Sequence, residues 1–65
     1  MQQILIIRSR NIDHVKEHFE ALGMSFVSEQ HGDGPVHYSY GNDTNLIEIY
    51  PAKDIFDEKW YWMDA

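Results

Sequence analysis

Glu48 is the residue whose setting calls for chemistry. It stands in Asn45-Leu-Ile-Glu-Ile-Tyr-Pro51, among Leu46, Ile47 and Ile49. A carboxylate is seldom placed in so apolar a strand unless it faces a polar cavity, a metal or a partner. His31 and His37 bracket the segment Gly32-Asp-Gly-Pro35. A hairpin there brings the two imidazoles near each other, and with Glu48 they offer nitrogen and oxygen donors suited to a divalent metal. Histidines in hairpins are more often plain surface residues, and no third-ligand spacing marks a metal site here. His14-Val-Lys-Glu-His18 matches the H-x-x-E-H pattern of inverted zinc proteases and puts both histidines on one helical face. A protease also needs a third ligand, a cleft and a larger scaffold, so chance, or adventitious zinc binding, accounts for this match. The chain has no serine or cysteine nucleophile with a positioned base and no glycine-rich phosphate loop.

The elements that must position these groups follow from periodicity. Ile4-Leu-Ile-Ile7 is apolar on both alternating faces, as in a strand covered on both sides. Arg8 shares the parity of Ile4 and Ile6, while Gln3, Leu5 and Ile7 share the other. Asn11 is a helix N-cap, Asp13 suits the positive end of the helix dipole, and Ile12, Val15, Phe19 and Leu22 recur at helical spacing. Gly23 ends the helix and lets Met24 fold back. From there the period becomes two. Residues 25–30 read as a strand, 31–35 as a turn, 36–40 as a strand, 41–44 as a turn and 45–50 as the last strand.

The helix stripe needs apolar partners, which Leu5, Ile7, Ile47 and Ile49 supply. Glu48, with Leu46 and Tyr50, then points to the opposite, concave side, and Arg8 joins it there by parity. Arg8 and Glu48 could form a simple ion pair, or Arg8 could hold an anionic group of a ligand. Tyr38 and Tyr40 share one face of their strand and fit either core or cavity lining.

Sixty-five residues make one small domain, of a size that buries only about 60% of its unfolded surface. No cysteine is present to staple it, which suits a reducing compartment. The net charge of −6, from eleven acids and five bases spread along the chain, argues against a nucleic-acid partner. The four-residue apolar run near the N-terminus is too short for a signal-peptide core or a membrane span. A soluble, cytoplasmic protein with no membrane partner is therefore expected. The tail, residues 52–65, carries Ile55, Phe56, Trp60 and Trp62, an apolar load that needs a surface on this chain or on a second copy. Trp60-Tyr-Trp62 could stack on a planar ligand or seal a dimer interface.

A first strand running into Asn11-Ile12, the helix end His18-Phe-Glu-Ala-Leu-Gly-Met24, the segment Glu29-Gln-His-Gly-Asp-Gly-Pro-Val-His-Tyr38 and Leu46-Ile-Glu-Ile-Tyr-Pro51 occur in fixed order. Over residues 2–51 this pattern resembles one module of the vicinal oxygen chelate superfamily, which includes glyoxalases, bleomycin-resistance proteins and extradiol dioxygenases. The resemblance implies an α+β fold: a single βαβββ module at residues 1–51, with a four-stranded sheet and one helix. Members pair two modules so that their sheets curl around a cavity, which here implies a homodimer, or else a truncated two-module protein. Residues 52–65 would then be an aromatic tail packing on the module or on the partner.

Metal-using members place one ligand on the first strand and a glutamate on the fourth. Glu48 falls on the glutamate position, whereas the first-strand position falls on Ile4, which has no donor atom. The expectation is thus a homodimeric small-molecule binding protein of the glyoxalase/bleomycin-resistance type, without catalysis, whose ligand meets Arg8, Tyr38, Tyr40, Glu48 and Tyr50. The alternative is a metal-dependent lyase, isomerase or dioxygenase-like enzyme, with a divalent metal on Glu48 and His37, or with Gln3 completing the set. A protein-interaction module working through the tail is the third reading.

Overall fold

The computed structural model describes residues 3–41 and 45–64. Five strands and one helix follow in the order β1 (Gln3–Ser9), α1 (Ile12–Glu20), β2 (Val27–Glu29), β3 (His37–Gly41), β4 (Asn45–Pro51) and β5 (Lys59–Asp64), with a 3-10 turn at Ile55–Asp57 before β5. They form one mixed sheet in the order β2-β3-β4-β1-β5. Hairpin-like steps make β2, β3 and β4 antiparallel neighbours, and β4 returns alongside β1 in parallel. The α+β class is as expected, but the sheet has five strands rather than four. The tail provides the fifth, antiparallel to the outer edge of β1, with Leu5 opposite Trp62 and Ile7 opposite Trp60. An open edge on the apolar run of β1 would be a template for aggregation, and β5 covers it within the same chain. Most of the turn expected at residues 41–44 lies outside the described residues.

Asn11 caps α1, its side-chain oxygen accepting from the His14 backbone N–H at 3.1 Å. At the other end Met24 N–H donates to Phe19 C=O and Gly23 N–H to Glu20 C=O, a Schellman closure. Gly23 adopts φ +94°, which a side chain would resist. This tight stop leaves Leu22 68% exposed, so the apolar stripe ends at Phe19 and not at Leu22. The helix lies across β4, β1 and β3. Phe19 meets Phe26 and Trp60, with ring centroids 6.0 and 5.9 Å apart.

The core is small. Ile7 and Ile49 are fully buried and are register partners across β1 and β4; Ile6 is nearly so. Each such side chain contributes about 1.5–3 kcal/mol by leaving water. No helix of the described residues is long and apolar enough to cross a membrane.

Candidate functional site

Strand alternation divides the sheet into two chemically distinct faces. Under the helix lie Leu5, Ile7, Ile47, Ile49, Tyr38 and Tyr40, placed by the registers Leu5 to Ile47, Ile7 to Ile49, Tyr38 to Ile49 and Tyr40 to Ile47. On the helix-free face lie Arg8, Glu48 and Tyr50, and with them His37 and Ser39 of β3 and Glu29 of β2.

The sequence-derived candidates therefore separate. Arg8, Glu48, Tyr50 and His37 are brought together, whereas Tyr38 and Tyr40 stand on the opposite face. There the Tyr38 hydroxyl donates to Asp13 of α1 at 2.5 Å, and Lys16 Nζ sits 5.0 Å from its ring centre. That hydrogen bond to a carboxylate is the main reason the Tyr38 pKa is raised above its ordinary value. Tyr40 packs on Phe26 at 5.5 Å. Both tyrosines tie the helix side together. Gln3, by the same alternation, faces away from Glu48 and cannot join it.

At the centre of the helix-free face is His37, only 2% exposed. Its ring is stacked between His31, at 5.2 Å, and Tyr50, at 4.4 Å. Arg8 extends the column, its guanidinium carbon 5.3 Å from the centre of the Tyr50 ring. The result is a row of flat groups crossing from the hairpin through β3 and β4 to β1. Tyr50 donates to Glu48 Oε1 at 2.6 Å. Burial, and then that hydrogen bond, push the Tyr50 pKa up to about 12, so the phenol is a proton donor at neutral pH.

Among the described residues His37 Nε2 has no hydrogen-bond partner. It lies 3.8 Å from Glu29 Oε1 and 3.8 Å from Glu48 Oε1, beyond hydrogen-bond reach of both carboxylates. A buried polar atom left unsatisfied costs about 1–3 kcal/mol, which makes it a natural point for an incoming group. Glu29 was not among the sequence candidates, although it pairs directly with His37 in register. Hairpin counting across the 31–35 turn was the signal that could have found it.

The fit of a metal can be tested on these distances. Zinc bonds of about 2.0–2.2 Å place two ligands of one ion roughly 3–3.5 Å apart. His37 Nε2 stands wider than that from both carboxylates, and Glu48 Oε1 already accepts the Tyr50 proton. Among the described residues no group of three or more histidines and carboxylates is arranged to hold a metal ion. His14 and His18 lie elsewhere, lining a groove of about 230 Å³ with Val15 and Trp60. Their one-turn spacing is real, but no third donor among the described residues joins them there.

Comparison of the chain with protein-family models, with curated proteins and with solved structures finds no match.

Proposed function

We propose that the chain is a small-molecule binding protein without catalysis, similar in design to the glyoxalase and bleomycin-resistance group, and that it works as a homodimer. One observation carries the binding reading: the unpartnered Nε2 of buried His37, set in a row of stacked rings on the face that the helix leaves free. A planar ligand can continue the stack, donate to His37 Nε2, and meet Arg8 at the far end. The βαβββ order with β4 parallel to β1 supports the likeness to a single module.

Pairing of two copies draws its support from the small core and from the exposed tryptophans of β5, Trp60 and Trp62. The Tyr50 proton already held by Glu48 Oε1 ranks the metal-dependent reading below the binding reading.

The test is a screen of planar heteroaromatic compounds by two-dimensional NMR. Saturable shifts centred on His37, Tyr50 and Glu48, lost in His37→Phe, are expected. A set of compounds that moves only α1 or β5, or nothing, would reject the reading. Light scattering at micromolar concentration addresses the dimer, and a monomer there would remove that part.

A further inference from the structure

Arg8 and Lys59 stand directly opposite one another on β1 and β5 and on the same, helix-free face. Like charges at directly opposed positions destabilise a strand pair. Among the described residues neither cation is paired with a carboxylate. The ion pairs of the described residues that join a lysine or arginine to a carboxylate are Arg10 with Glu58 and Lys16 with Glu20. Even Arg10, two residues from Arg8, has its partner at 3.4 Å.

What holds the two cations is a pair of tyrosine rings. The Arg8 guanidinium lies 5.3 Å from the centre of Tyr50, and Lys59 Nζ lies 5.2 Å from the centre of Tyr61. A ring face steadies a cation but accepts no strong hydrogen bond from it, so the N–H donors of both groups remain available. Glu48, on the same face as Arg8, has one oxygen occupied by the Tyr50 proton.

We infer that Arg8 and Lys59 form a subsite for an oxyanion, the carboxylate or phosphate group of the small molecule proposed above. The guanidinium edge offers a two-point grip and the ammonium a point charge. The cross-strand repulsion is relieved when the anion arrives. The assignment rests on the binding reading for its ligand, though not for its geometry.

Inorganic phosphate and acetate are the probes, titrated at constant ionic strength with chloride as the control. NMR should show saturable shifts of the Arg8 side-chain N–H and the Lys59 amine, with Arg10 unmoved. Arg8→Gln and Lys59→Gln should each weaken binding at least tenfold. In chloride alone, Lys59→Gln should unfold at an equal or higher urea concentration than the unaltered chain, which shows that the loss is not misfolding. Saturation by phosphate alone assigns a phosphoryl ligand, and saturation by both assigns the wider oxyanion class.

Non-saturating shifts, equal shifts at Arg10, or wild-type anion binding by Lys59→Gln would overturn the assignment. Planar neutral compounds that bind at Tyr50 while anions leave Arg8 unmoved would overturn the subsite and leave the binding reading standing. Anion binding with no compound ever reaching Tyr50 or His37 would do the reverse.

Discussion

Tyr50 donates its phenolic hydrogen to Glu48 at 2.6 Å, two positions earlier on the same strand and on the same face. The carboxylate that stands out in an apolar strand is thus held by its own neighbour. The bond turns one oxygen of Glu48 away from external partners and fixes the Tyr50 ring against His37.

That bond has a pH signature. Burial first, and Glu48 second, hold the Tyr50 pKa at about 12 against an ordinary 10.0. The folded chain keeps a proton that the unfolded chain gives up, so this contribution to stability is complete below pH 10 and is lost as pH rises through about 12. With solvent screening the loss is of order 1 kcal/mol. Urea unfolding midpoints measured between about pH 9 and 12 should fall accordingly. In Glu48→Gln the Tyr50 titration, followed by phenolate absorbance, should move down while staying above the ordinary value, because burial persists. An unchanged titration would show that Glu48 has no part in the shift.

His37→Ala removes a buried ring and both of its stacking partners' contacts. Partly offset by loss of the unsatisfied nitrogen, the change should cost about 2 kcal/mol in urea unfolding. His37→Phe keeps the stack and removes Nε2, so it should be close to neutral for stability while abolishing ligand binding. A His37→Phe protein destabilised as much as His37→Ala would mean that Nε2 stabilises the fold and does not await a ligand.

Much of this arrangement is readable from strand parity. Leu5 and Ile7 with Ile47 and Ile49 on one side, and Arg8 with Glu48 and Tyr50 on the other, follow from a period of two and the need to cover a helix. The face of Tyr38 and Tyr40 does not follow, because it depends on the register of β3 against β4, which the turn between them sets. Once Tyr38 is opposite Ile49, both tyrosines must go to the helix side. The strand in the tail is hidden for another reason. Trp60, Tyr61 and Trp62 are all aromatic, so no polar-apolar alternation marks which of them face the helix side. The burial of His37 is equally silent in sequence, since it comes from rings contributed by His31 and Tyr50 on other segments.

Gly23 supplies a separate test of the helix stop. At φ +94° a Cβ meets no neighbour within 4 Å, so the cost of Gly23→Ala is backbone strain alone. About 1 kcal/mol is expected, read as a lower urea midpoint with unchanged slope. Gly41→Ala is different in kind. Its Cβ would run into Leu46 Cδ1, a flexible group that can move aside.

β5 occupies the edge of β1. Truncation after Glu58 removes the partner of Gln3–Arg8 and leaves the backbone of Ile4, Leu5, Ile6 and Ile7 open along that edge. An exposed apolar edge strand pairs with whatever strand is available, and in a solution of identical chains that strand is another β1. The truncated protein should therefore form concentration-dependent oligomers by light scattering. A synthetic peptide of residues 58–64 should return it toward the state of the full chain, because the peptide supplies the missing antiparallel ladder. Trp62→Ser in the full chain separates this edge effect from simple loss of apolar surface, since it keeps the ladder while removing a ring that is 60% exposed. If Trp62→Ser oligomerises as readily as the truncation, side-chain cover and not strand pairing is what protects β1. If the truncated chain scatters light as the full chain does and folds cooperatively, β5 is dispensable to the module.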